Sequence, residues 1–133
     1  MALTKWDEHD MENKLISILG NVATSKAGPD EFGYRYLTSY QLAIAFAERY
    51  PAEFAAMRLP IGGQGVGQRN SLAQYLAGEL IRRIAEKKIT RIEAAYLSKA
   101  HKAELAFRTK TGERIESSLT GAWDTSMFRL RGK

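Results

Sequence analysis

The hydrophobic residues of this chain change their period once. In the first two thirds they recur at helical spacing, and in the last third they alternate with polar neighbours. Leu72, Leu76, Leu80 and Ile84 return every four residues, with Ala73, Ala77 and Ile81 beside them. A helix over 71–87 therefore presents one broad apolar face. Further on, Leu105 and Phe107 alternate with smaller or polar residues, and Phe128 and Leu130 alternate with Arg129 and Arg131. That is the period of a strand with one buried face. Helices first and strands last predict an α+β fold. Its N-terminal part holds three or four helices, helix-turn-helix-like, and its C-terminal part a small antiparallel sheet or hairpin.

Start and stop signals place the elements. A first helix is expected over 7–19, with Met11, Leu15, Ile18 and Leu19 on one face. Asp7 to Asp10 put negative charge at its start, and Gly20 suits a left-handed residue after its end. Residues 20–36 form a connector with turn chemistry at Gly28-Pro29-Asp30, in which Phe32, Tyr34 and Tyr36 alternate as in a short strand. Thr38 and Gln41 have the spacing of a capping box, and Leu37 and Leu42 that of a hydrophobic staple. They open a second helix, which Pro51 ends or replaces with a short one over 51–57. A glycine-rich loop spans 58–69, and Ser71 with Gln74 repeats the capping-box spacing at the third helix. Residues 89–107 stay open between two readings: Thr90 and Glu93 favour a fourth helix, whereas Ile-Thr-Arg-Ile suits a strand. A hairpin over 103–119 turns at Lys110-Thr-Gly-Glu113, and a last strand covers 127–131.

With 133 residues, one domain is expected over 1–133. The absence of cysteine excludes disulfides, thiolate zinc sites and cysteine nucleophiles, and two histidines, His9 and His101, are too few for a multi-histidine metal site. No apolar run reaches the roughly 18–20 residues of a membrane span, and the first residues lack the apolar stretch of a signal peptide. A soluble, cytoplasmic protein with no membrane partner is expected. The charge is uneven. Residues 1–60 hold 6 Lys/Arg against 8 Asp/Glu, whereas residues 61–133 hold 14 against 7, a net of +7 in that half. A positive field of that kind attracts polyanions, chiefly nucleic acid, through counterion release.

The order of helices, a helix with a basic end and a charged hairpin resembles a winged helix-turn-helix domain over about residues 38–131. In that architecture one helix enters the major groove and the hairpin lies along the backbone or minor groove. One departure stands out: residues 50–70 separate the second and third helices, where a helix-turn-helix has a turn of about three or four residues. The resemblance implies a non-enzymatic DNA-binding protein. The expected contacts are Gly65, Gly67, Arg69, Gln74, Arg82 and Arg83 from the loop and third helix, and Lys110, Arg114, Arg129 and Arg131 from the strands. The loop glycines, standing before a helix N-terminus, can offer backbone N–H groups to a phosphate, although the pattern matches neither a P-loop nor a dinucleotide fingerprint.

Catalytic signals are thin. Asp7, Glu8, His9, Asp10 and Glu12 offer oxygen ligands to a hard cation, but such a run more often complements a helix dipole. Gly62-Gly63-Gln64 resembles the catalytic tripeptide of peptide-chain release factors, but the flanking Gly65-Val66-Gly67 departs from that pattern. No Gly-x-Ser-x-Gly elbow is present. No cofactor or metal is therefore expected. The alternative to duplex DNA is an adaptor or inhibitor that binds an acidic protein surface or pairs with itself as a homodimer through its aromatic residues.

Overall fold

The computed structural model describes residues 4–22, 33–62, 71–101, 105–116 and 125–131. Among them are five helices and two small antiparallel sheets, with one short strand before the third helix and the other strands after the fifth, an α+β architecture as the change of period predicts.

The expected first helix is two helices, α1 (Lys5–Glu8) and α2 (Met11–Gly20). Thr4 caps α1, its Oγ1 accepting the Asp7 N–H at 3.2 Å. The break comes at Asp10, whose φ of 51° is left-handed. Its reason lies in what must be buried. Trp6 and Met11 are both in the core. Five residues apart on one continuous helix they would point about 140° away from each other. The left-handed residue re-aims the chain so that both turn inward. Gly20 is the last residue of α2 rather than a left-handed cap, and Asn21 follows it at φ −114°. A Cβ on Gly20 would touch Leu130 Cδ1 at 3.4 Å, so the end of α2 lies close against the last strand.

Strand β1 is Leu37–Thr38, just beyond the alternating Tyr34 and Tyr36. Phe32 lies outside the described residues. Helix α3 (Ser39–Arg49) starts with the full capping box: Thr38 Oγ1 accepts the Gln41 N–H at 3.2 Å, and Gln41 Oε1 accepts the Thr38 N–H at 2.8 Å. Pro51 opens α4 (Pro51–Met57) at the position where its missing N–H costs nothing. Helix α5 (Leu72–Ala85) ends two residues before the expected 87. Leu72, Leu76 and Leu80 are fully buried, and Ile84 is half-buried. They pack mainly on α3, whose Leu42, Ala43 and Phe46 belong to the same core.

Among the described residues of 89–107 there is strand and no helix. Residues Ile92–Leu97 form β2, and Glu93, instead of completing a helix cap, lies opposite Arg129. The hairpin consists of β3 (Ala106–Arg108) and β4 (Arg114–Glu116), with Gly112 at φ +93° in its turn. It docks on α3 through a stacked Tyr40–Phe107 pair with centroids 5.8 Å apart and a Lys110 N–H donated to Glu48 Oε2 at 2.7 Å. Residues 103–104 and 117–119 of the expected hairpin and Trp123 lie outside the described residues.

The last strand, β5 (Thr125–Leu130), occupies the middle of the main sheet. The order is β1-β5-β2, antiparallel throughout. Phe128 and Leu130 point into the core as their alternation predicts, and Arg129 points the other way and is half-buried.

Candidate nucleic-acid interface

Helix α5 sets the geometry of any groove-reading surface. Its apolar stripe faces α3 and the sheet, which leaves Gln74, Gly78 and Arg82 on the exposed side, one turn apart. Gly78 is the unusual member. A Cβ there would meet nothing within 4 Å, so no contact among the described residues requires glycine. A glycine in a helix interior costs about 1 kcal/mol relative to alanine. What glycine does offer is the close approach of an external surface to the helix backbone.

The N-terminus of α5 has few donors left for a phosphate. Pro60 O accepts the Leu72 N–H at 2.7 Å, Ile61 O accepts the Ala73 N–H at 3.0 Å, and Ser71 Oγ accepts the Gln74 N–H at 3.2 Å. These are three of the four N–H groups that a helix start leaves unpaired. The segment before the loop thus runs back along the helix start and closes it. Gly62, at φ +126°, makes that approach possible, since a Cβ would stand 3.1 Å from Ser71 Oγ. Its role here is packing. Gly65, Gly67 and Arg69 lie outside the described residues.

The expected arginines divide into two groups. Arg83 is directed inward: its guanidinium lies 4.8 Å from the Trp6 ring centroid and pairs with Glu79 at 3.0 Å, joining α5 to α1. Arg129 is similarly committed, 4.5 Å from the Tyr36 ring centroid and paired with Glu93 at 3.2 Å. Both ion pairs are partly buried, so these cations hold elements together rather than reach outward. Arg82 is exposed; Glu79 at 2.8 Å and Glu86 at 3.6 Å flank it, and the hydrogen bond to Glu79 raises its pKa further. Arg114 pairs with Glu116 at 2.7 Å on the exposed hairpin, and the Lys110 side chain is exposed at the same turn. The Arg131 Nε–H donates to Thr90 O at 3.1 Å.

The fold adds cations that were not among the expected contacts. Lys87 and Lys88 follow α5, and the Arg91 carbonyl accepts the Arg131 N–H at 2.8 Å. With Arg82 and Arg131 they form one exposed basic corner where α5 passes into β2, interrupted by Glu86. The signal was present as the basic run from Arg82 to Arg91; what was missing was the return of the last strand beside it. The corner is partly neutralised, and exposed pairs of this kind exchange readily for a competing anion because each contributes little.

The acidic run near the N-terminus serves the helix starts. Asp7 accepts the Thr4 hydroxyl at 2.8 Å, and Asp10 accepts the Asn13 side-chain amide at 3.0 Å. No group of three or more histidine or acidic side chains among the described residues is placed to hold a metal ion. No helix among them is long and apolar enough to cross a membrane. Comparison with known proteins returns no matching family model, curated protein or solved structure.

Proposed function

We propose that this chain is a non-enzymatic DNA-binding protein of winged-helix type. One observation carries the reading. Helix α2, strand β1, helices α3 and α5, and strands β2 and β5 follow one another as helix–strand–helix–helix–strand–strand, with the first, third and second strands side by side. That interleaving is the plan of a winged helix-turn-helix domain. Helix α4 lengthens the connection between α3 and α5, and the β3–β4 hairpin is inserted into the wing between β2 and β5. In this reading α5 lies in the major groove, with Gln74 and Arg82 toward base edges and Gly78 admitting the close approach. Lys87, Lys88, Arg91 and Arg131 contact phosphates at one end, and Lys110 and Arg114 do so from the inserted hairpin.

Fluorescence anisotropy with a labelled mixed-sequence duplex of about 20 base pairs tests it. Affinity is expected to fall steeply between about 50 and 200 mM salt, because each neutralised phosphate releases counterions. Absence of binding at the lower salt refutes the reading. A second reading has its own support. Strand β2 is an edge strand among the described residues, and Tyr96 and Leu97 near its end are 60% and 38% exposed. An open edge with apolar side chains suits pairing with a protein partner or a second copy. Sedimentation velocity of the free protein separates the two.

A further inference from the structure

A groove of about 660 Å³ lies on the flank formed by α2, β1, α3 and β3, away from the exposed face of α5. Its floor is apolar, made by Ile18, Ile44 and Phe107. Three arginines from separate elements stand around it: Arg35 before β1, Arg49 at the end of α3 and Arg108 at the end of β3. Among the described lining residues the only carboxylate is Glu48, and that group already accepts the Lys110 N–H at 2.7 Å. Arg49 donates to Ser17 Oγ at 2.7 Å and lies over the Tyr50 ring. Neither Arg49 nor Arg108 has a carboxylate within ion-pair distance among the described residues. Arg108 also stands directly opposite Arg114 in the hairpin, and like charges facing each other across a strand pair are destabilising.

We infer that this groove binds an amphipathic organic anion, its apolar body on the Ile18–Ile44–Phe107 floor and its anionic oxygens between Arg49 and Arg108. The volume falls within the few hundred to about 1,000 Å³ of small-molecule sites, and an apolar lining with a few convergent polar groups is their usual make-up. Arginine is the suited cation, because its planar fork matches the oxygens of a carboxylate or phosphate in two parallel hydrogen bonds. The floor excludes a bare inorganic anion as the intended occupant, since buried apolar surface would then gain nothing. This inference is independent of DNA binding.

The test uses 1-anilinonaphthalene-8-sulfonate as the probe, titrated into the folded protein and followed by fluorescence. Saturable binding with one site is expected. Arg108→Glu should weaken it by at least about tenfold, the factor that corresponds to losing one charge-assisted contact of about 1.4 kcal/mol. Lys5→Glu makes the same change of charge on α1, outside the groove, and should leave affinity unaltered. Thermal unfolding of each variant confirms that the fold is kept; Ala45→Leu, which fills the groove without touching the charge, provides a second route to the same loss. Competition then identifies the natural head group: displacement by decanoate indicates a carboxylate, and displacement by 1-naphthyl phosphate a phosphate. Affinity unchanged in Arg108→Glu, displacement by inorganic phosphate alone, or no saturable binding overturns the inference.

Discussion

Replacing Gly78 with alanine should make the protein more stable and a poorer DNA binder at once. The residue lies in the interior of α5 on its exposed side, and the added Cβ meets no atom of the described residues within 4 Å. The gain is then the difference in helix propensity, about 1 kcal/mol. Unfolding entropy near 2.1 cal/mol/K per residue gives about 0.28 kcal/mol/K for a chain of 133 residues, so the midpoint should rise by about 3–4 °C. Differential scanning calorimetry resolves a shift of that size. In the same preparation, anisotropy against the duplex should show weaker binding, because the methyl group holds the helix backbone away from the groove. A midpoint that stays or falls refutes the description of Gly78 as unencumbered. A raised midpoint with unaltered affinity refutes the close approach, and with it the placement of α5 in the groove.

Further expectations concern the core, the cations and alkaline pH. Leu76→Ala should cost about 2–5 kcal/mol in urea unfolding, since that side chain is fully buried, whereas Glu86→Ala should stay within about 1 kcal/mol; equal losses would place the apolar face of α5 wrongly. Arg82→Gln should reduce the salt slope of DNA binding by about one unit with little effect on stability. Arg129→Gln should do the reverse, because it removes the contacts to Glu93 and Tyr36 and leaves DNA affinity nearly unchanged; a large change in the salt slope for this variant would refute its inward role. Burial, followed by the charge of Glu79, pushes the Tyr75 hydroxyl up from 10.0 to about 12. The unfolded chain therefore ionises first. Stability contributed by the neutral phenol is complete below pH 10 and is lost as pH rises toward 12, and Tyr75→Phe should flatten that part of a pH–stability profile.

Much of this architecture was determined locally and was legible for that reason. The capping box at Thr38–Gln41, the cap at Ser71, the proline that opens α4 and the apolar stripe of α5 each depend on residues within one or two turns. The same holds for the β3–β4 turn and for the facing of Phe128 and Leu130, since strand alternation needs only neighbours. Other features were decided by packing between distant segments. The helix near the N-terminus breaks at Asp10 because Trp6 must meet Arg83 and Tyr75 of α5 while Met11 turns into the core. Residues 92–97 form a strand because β5 offers them hydrogen-bond partners, and β5 itself lies between β1 and β2 although it is last in the chain. The candidate site followed the same division. Arg82, Lys110 and Arg114 are exposed, whereas Arg83 and Arg129 carry the same charge and are spent on contacts to aromatic rings and carboxylates. A formal charge belongs to a residue type, whereas the direction in which it points is set by the partners that folding brings beside it. The sequence alone therefore determined most helix starts and turns and that the C-terminal half is basic; only the tertiary structure decided where the first helix breaks, that 92–97 is a strand, which cations point outward and where the last strand inserts, because these depend on contacts between residues far apart in the chain.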